Sequence, residues 1–254
     1  MTDTHTHLYF QDFHHELPDI IEKCREAGVM HLVLPNVDES TIPLMKEMHA
    51  HYPEITSMAI GLHPTEVKED REKVLEKIKE ELLTGEYVAV GEIGIDLYWD
   101  QTYRNEQIEV FESQLRLADK VGLPVIIHCR EALKEVLESI EKVHPSGPLI
   151  FHSFTGSKDD VKEIRKICDP YFGINGVVTY KNASSLREAL PEIGIERIVL
   201  ETDSPYLTPV PHRGKQNNSS YLVHIKDKVA ETLNLDPRSV ETQTDENARS
   251  IFGI

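Results

Sequence analysis

The sequence predicts an α/β fold, a (β/α)8 TIM barrel formed as a single domain over residues 1–254. Eight short apolar runs rich in β-branched residues alternate with longer amphipathic stretches, the order expected of a parallel barrel. Several runs, such as Val88-Ala89-Val90 and Val125-Ile126-Ile127, are almost purely apolar, as strands covered on both faces are. No Gly-rich phosphate-binding turn follows the first run, which disfavours an open doubly wound sheet.

The expected strands are Thr2–Leu8, His31–Val37, Thr56–His63, Tyr87–Asp96, Pro124–Cys129, Pro148–Phe154, Tyr171–Val178 and Arg197–Thr202. Between them, Leu17–Ala27 places Leu17, Ile20, Ile21 and Cys24 at helical spacing, and Gly28 stands where a C-terminal cap belongs. Val67–Leu83 repeats Val74, Leu75, Ile78 and Leu82 among charges. Tyr103–Val121 carries Ile108, Phe111, Leu115 and Ala118, and Gly122 and Pro124 stop it. Ala132–Val143 and Asp159–Cys168 follow the same spacing, and Ser157 with Asp160 resembles a capping box. A helix after Asn218 and a short one over Asp245–Phe252 complete the outer layer.

Composition narrows the function. The formal net charge of −17 speaks against a general binder of phosphate backbones, which needs a basic face. An anionic substrate would have to be met locally, by metal ions and a few Lys or Arg. Most of the 44 carboxylates read as solubility. Cys24, Cys129 and Cys168 are odd in number and far apart, which argues against a disulfide framework or a zinc knuckle. The N-terminus shows no basic stretch followed by an apolar run, and no apolar run approaches the roughly 18 residues of a membrane span. A reduced, cytoplasmic protein with no membrane association and no obligate protein partner is expected.

The chemistry lies at the expected strand ends. In such barrels the site forms at the C-terminal ends of the strands. Strand one ends with His5 and His7, two apart and therefore on one face. Strand four carries Glu92 in Gly91-Glu92-Ile93-Gly94-Ile95-Asp96, strand five ends with His128, strand six with His152, and strand eight with Glu201-Thr202-Asp203. A carboxylate or imidazole inside or just after an apolar run needs a partner or a metal. Four histidines with Glu92 and Asp203 exceed the needs of one tetrahedral ion. They suit two divalent ions about 3.5–4 Å apart, bridged by a carboxylate and a water. Glu92 is the natural bridge. The paired cations would turn the bridging water into a hydroxide nucleophile, with Asp203 orienting it or taking its proton.

These residues resemble the TatD family of metal-dependent deoxyribonucleases, within the amidohydrolase-like barrels. The resemblance runs through Asp3-Thr4-His5-Thr6-His7-Leu8, Gly61-Leu62-His63-Pro64, Gly91–Asp96, Gln107 with Phe111 and Gln114, and His128-Cys129-Arg130-Glu131-Ala132. It continues through His152–Ser157, Glu201–Leu207 and Arg213-Gly214-Lys215, and so covers essentially the whole chain. It implies that His5, His7, Glu92 and Asp203 hold one ion, and that Glu92, His128 and His152 hold the other. It also implies a magnesium- or manganese-supported nuclease that trims DNA, favouring single strands or frayed ends. Histidine-rich ligation would hold zinc or manganese more firmly than magnesium. One departure is visible: Ser219 stands where the family usually has a proline, and a serine can cap a helix instead.

Four further residues read as substrate contacts. His63 would end strand three on the same rim, either touching phosphate or hydrogen-bonded in place. Arg130 and Arg213 could clamp a phosphate, although Arg130 could equally pair with Glu131 or Asp96. Trp99, the sole tryptophan, would stack a base or plug the rim. Cys129 reads as core. His14, His15, His31, His49, His51, His144, His212 and His224 show no partner pattern and read as surface or helix residues.

The leading function is therefore a two-metal phosphodiesterase acting on DNA. An amidohydrolase cleaving a small amide, lactone or phosphotriester is the alternative, with an ester at a nucleic-acid end as a variant of the first reading. Many amidohydrolases bridge their metals with a strand-four lysine, and here strand four offers Glu92 and no lysine. A non-catalytic binding module would not need the full ligand set.

Overall fold

The computed structural model describes residues 1–254. Eight parallel strands run in chain order: β1 (Thr2–Asp3), β2 (His31–Pro35), β3 (Thr56–Ile60), β4 (Tyr87–Asp96), β5 (Val125–Arg130), β6 (Leu149–Phe151), β7 (Tyr171–Ile174) and β8 (Ile198–Leu200). The ring closes beyond the last strand. Thr4 N–H donates to the Leu200 carbonyl at 3.0 Å, Asp203 N–H to His5 at 2.9 Å and His7 N–H to Ser204 at 2.9 Å. This is the expected (β/α)8 barrel.

The outer helices are α1 (Leu17–Glu26), α2 (Ile42–His51), α3 (Arg71–Leu82), α4 (Arg104–Val121), α5 (Leu133–Val143), α6 (Lys158–Ile164), α7 (Ser184–Ile193), α8 (Leu222–Leu233) and α9 (Pro237–Phe252). Two of these, α2 and α7, are absent from the sequence reading. Pro43 in the first turn of α2 and Pro191 inside α7 interrupt patterns that are only ten residues long. The last helix begins well before Asp245, because the Asp236 carboxylate caps the N–H groups of Arg238 and Ser239 ahead of it. The Ser157–Asp160 capping box forms. At the departure noted above, Asn218 is the cap, and Ser219 is buried with its hydroxyl donating to Thr6 at 3.2 Å.

Most paired strands stop short of the runs read from sequence. Strand β1 ends at Asp3 rather than Leu8, β7 at Ile174 rather than Val178, and β8 at Leu200 rather than Thr202. The segments beyond them turn onto the barrel rim yet stay covered: Leu8, Leu62, Phe154 and Val178 are all buried. Apolar patterning reports burial, and it cannot separate a paired strand from a buried rim segment.

Two cores separate along the barrel. One fills the layer between strands and helices. The other is the barrel interior, where Val33, Ala59, Ala89, Ile126, Ile150 and Val199 meet Ala248, Ile251 and Phe252 of α9. That helix seals one end, so the polar strand ends converge at the other.

Candidate active site

Local backbone features aim each group. The β4–β5 register shifts between Val90 and Ile93, and this irregularity contains Gly91 and Glu92. Gly94 has φ 153°, and a Cβ there would lie 1.9 Å from the His128 carbonyl oxygen, so only glycine lets β4 approach β5 this closely. Gly173 serves Glu201 likewise: a Cβ would sit 2.2 Å from its carboxylate. Ser153 and Asp203 hold left-handed backbone just past β6 and β8, with φ of 50° and 55°. Non-glycine residues rarely adopt such conformations, which cluster at functional sites.

The Glu92 carboxylate, 3% exposed, is the centre of the site. Its Oε2 lies 3.1 Å from His5 Nε2 and 3.9 Å from His7 Nε2. Its Oε1 lies 2.7 Å from His128 Nδ1, 3.4 Å from His63 Nε2 and 3.6 Å from His152 Nε2. Asp203 Oδ1 stands 3.7–3.9 Å from the Nε2 atoms of His7, His152 and His5. The six ligands expected from sequence thus converge on one point. His63 joins them, its Nε2 being 3.2 Å from His128 Nδ1.

Sequence reasoning missed the outer layer. Asp96 Oδ2 is 2.9 Å from His128 Nε2, and Glu201 Oε1 is 3.0 Å from His152 Nδ1. Tyr9 donates its hydroxyl proton to the Pro35 carbonyl at 2.5 Å, so its oxygen is left to accept from His7 Nδ1 at 3.0 Å. That fixes the His7 tautomer, with the Nε2 lone pair facing Glu92. Even spacing could have found these carboxylates: Asp96 is four residues after Glu92, and Glu201 two before Asp203.

The electrostatics follow from burial against neighbours. Burial keeps His7 down at about 4 and His5 well below its ordinary value. Burial acts the same way on His128, but Asp96 and Glu92 outweigh it and lift the ring to about 9. For His152, Glu201, Glu92 and Asp203 overcome burial and lift it to about 10. Burial raises Asp203 to about 7, helped by Glu92 and Glu201 against the pull of His152. Burial would raise Glu92 too, yet the surrounding imidazoles hold it well below the carboxylate range.

This donor set fits divalent cations. Every ion-pair partner within 4 Å of Glu92, Asp96, Glu201 and Asp203 is a histidine, so no lysine or arginine offsets three buried acids and the half-buried Asp203. His5 Nδ1 and His152 Nδ1 are both buried without a hydrogen-bond partner, the latter with the Glu201 carboxylate in ion-pair range. Donor atoms of His5, His7 and Glu92 lie within 4.8 Å of one another, as do those of His63, Glu92 and His128, and those of His5, His152 and Glu201.

The rim residues divide. A cleft of about 640 Å³ is lined by His63, Arg130, Trp99, Ser153 and Tyr206 along with His7, Glu92, His128, His152 and Asp203, but not by His5. Trp99 is 69% exposed and so plugs nothing. Arg130 pairs with neither Glu131 nor Asp96; its guanidinium lies 3.9 Å from the Tyr98 ring centroid. Arg213 is not brought to the cleft, and its guanidinium rests 4.0 Å over Tyr180. Cys129 packs against the core. Five of the histidines read as unpartnered have partners, one of them, His51, within its own helix through the Glu47 carbonyl at 2.8 Å. His212 and His224 face each other at 3.1 Å, while His31 and His49 bond the Ser57 and Thr56 hydroxyls. The contacts of the last four join separate elements and leave no local pattern.

Comparison with known proteins agrees along the full length. The family described as "TatD related DNase" matches residues 2–253. An uncharacterized metal-dependent hydrolase, YabD of Bacillus subtilis, is 37% identical over 99% of this chain and 98% of its own. The protein named 3′-5′ ssDNA/RNA exonuclease TatD of Klebsiella pneumoniae is 32% identical over 100% of this chain and 98% of its own. In structure, the TatD homolog YJJV of Escherichia coli superposes with a TM-score of 0.93 at 24% identity, covering 100% of this chain and 98% of that one. A mutant organophosphorus hydrolase shares the fold at a TM-score of 0.67 and 13% identity, over 99% of this chain and 92% of that one. Agreement in sequence along the whole barrel, beyond a fold that many hydrolases share, makes this chain a member of the TatD family of metal-dependent hydrolases, enzymes of ester bonds.

Proposed function

We propose that residues 1–254 act as one metal-dependent domain that trims single-stranded DNA from an end, using two divalent ions. The observation that carries this reading is the division of the Glu92 carboxylate, with Oε2 toward His5 and His7 and Oε1 toward His63, His128 and His152. On this reading His5, His7, Glu92 and Asp203 hold one ion, and Glu92, His128 and His152 hold the other; magnesium, manganese or zinc are the candidates. Bound there, two cations supply an acidified water near neutral pH and stabilise charge on the phosphate. Asp203, whose Oδ1 stands 3.7–3.9 Å from the Nε2 atoms of His7, His152 and His5, takes the proton of the attacking water on its carboxylate. Glu201 and Asp96 orient the imidazoles they back. His63 and Arg130 meet the phosphate, Trp99 a base, and Arg213 the strand beyond the cleft.

The net charge of −17 supports capture of an end over tracking along a duplex. The relatives named as 3′-5′ ssDNA/RNA exonucleases support a nucleic-acid substrate. The three free cysteines suit a reducing cytoplasm, and no helix is long and apolar enough to cross a membrane. The test compares an end-labelled single strand, its covalently closed circle and a blunt duplex, each with added divalent cation. Stepwise shortening of the linear strand alone is expected. Equal cleavage of the circle would remove the end dependence, and turnover of a small lactone or amide without nucleic-acid cleavage would replace the reading.

A further inference from the structure

At the mouth of the cleft, Tyr98 and Trp99 follow β4 and stay 49% and 69% exposed. Their rings stand nearly perpendicular, 83° apart with centroids at 5.0 Å. The Arg130 guanidinium, at the end of β5, sits in the corner they make, 3.9 Å from the Tyr98 centroid and 5.1 Å from that of Trp99. Among the ion pairs of the chain none involves Arg130, although acidic residues outnumber basic ones by 44 to 27. Stacking on aromatic faces orients a guanidinium while leaving its N–H edge free for a phosphate. The exposed face of Trp99 is free to receive a base.

One buried carboxylate ties this corner to the centre. Asp96 is 1% exposed, and its Oδ1 accepts from the backbone N–H groups of Tyr98 at 3.0 Å and Trp99 at 3.2 Å. Its Oδ2 lies 2.9 Å from His128 Nε2. Asp96 N–H donates to Gln107 at 2.8 Å, and Leu97 N–H to the Arg130 carbonyl at 3.0 Å. The two oxygens of Asp96 are thus split between the central imidazole and the aromatic loop.

We propose that Tyr98, Trp99 and Arg130 form a preassembled subsite for one unpaired nucleobase and the phosphate beside it, with Asp96 as the positioning residue that keeps it in register with His128. This rests on the nuclease reading above and adds what the site reads: a base paired in a duplex has no free face for Trp99. Selection for single strands then resides in this corner.

The experiment uses the metal-loaded enzyme and two short single strands of equal charge, an oligothymidylate and the same strand made abasic at its terminal nucleotides. Trp99→Ala should raise KM for the oligothymidylate by about 5- to 150-fold, the range of one base–aromatic stack, and leave the abasic strand within about twofold. Asp96 is probed by two variants. Asp96→Asn keeps one oxygen for the loop N–H groups and loses acceptance from His128; kcat should fall while base discrimination and the fluorescence anisotropy of Trp99, the sole tryptophan, hold. Asp96→Ala loses both, so anisotropy and base discrimination should fall together. The anisotropy needs no turnover and reports the loop even in an inactive variant. Equal effects of Trp99→Ala on both strands, or unchanged Trp99 anisotropy in Asp96→Ala, would overturn the proposal. If the wild-type enzyme cleaves neither strand, the nuclease reading fails instead.

Discussion

The two sides of Glu92 are built differently. His5 and His7, on the Oε2 side, have only neutral or no support: Tyr9 accepts from His7 Nδ1, and His5 Nδ1 has no partner. His128 and His152, on the Oε1 side, each face a carboxylate: Asp96 is hydrogen-bonded to His128 at 2.9 Å, and Glu201 lies 3.0 Å from His152 Nδ1 in ion-pair range, without hydrogen-bond geometry. Burial pushes all four down, yet His7 is held at about 4 and His5 well below its ordinary value, while His128 rises to about 9 and His152 to about 10. The difference shows that outer partners decide ligand character. One pair is neutral and ready to donate lone pairs; the other is more basic and must shed protons before it can ligate.

The sharpest way to break this comparison is Glu92→Ala, which removes the group both sides share. Activity should fall by at least about 10³-fold, because on the two-ion reading both ions would lose a ligand and the remaining groups would no longer act as a unit. Metal analysis should show loss of both ions. A variant that keeps one ion at full affinity, or full activity, ends the assignment of Glu92 as bridge.

Next in size is Asp203→Asn, which keeps the shape and one ligand oxygen and removes the base. It should lower kcat by about 10²–10⁴-fold with little change in KM. A near wild-type kcat would move the base to His63.

The asymmetry itself is tested by pairing Glu201→Gln with Tyr9→Phe. Losing the carboxylate behind His152 should weaken metal binding by about 10- to 100-fold. Losing the neutral hydroxyl behind His7 should cost less than about tenfold, the worth of one neutral hydrogen bond. Equal losses in calorimetric titrations would erase the distinction between the sides.

The smallest effect concerns protons. In chelated protein at pH 7, His128 and His152 sit below their raised values and carry protons, whereas His7 sits above its lowered one and does not. Metal affinity on the second side should therefore rise with pH until about 9 to 10, and binding there should release protons. Calorimetry in two buffers of different ionisation heat measures that release. It should fall when His128 and His152 are both replaced by alanine, and an unchanged value would sink the account.

Legibility in the sequence was uneven for physical reasons. The bounds of β4 coincide with the expected Tyr87–Asp96, because pairing to β3 begins at Tyr87 and pairing to β5 runs to Asp96, on either side of the irregularity at Gly91 and Glu92. The run read as Thr2–Leu8 has only two residues in a continuous ladder, with Thr6 bridged to Ser204 further on, yet its histidines still meet, since the extended rim segment keeps the alternation of a strand. Arg213 was read as a phosphate contact from its loop, but which way a loop side chain turns is set by whatever packs beside it, here Tyr180.

By itself the sequence determined the barrel, its strand order and the residues that close on Glu92. Periodicity and the placement of polar groups at the ends of apolar runs are local properties, and a parallel barrel sends all such ends to one rim. Only the tertiary structure decided which carboxylate backs which imidazole, that His63 joins the cluster, and that Arg130 lies on Tyr98 rather than on an acid. Those pairings join β4 to β5, β6 to β8 and β3 to β5. They depend on the register between neighbouring strands and on backbone approaches as close as Gly94 to His128, which no single segment encodes.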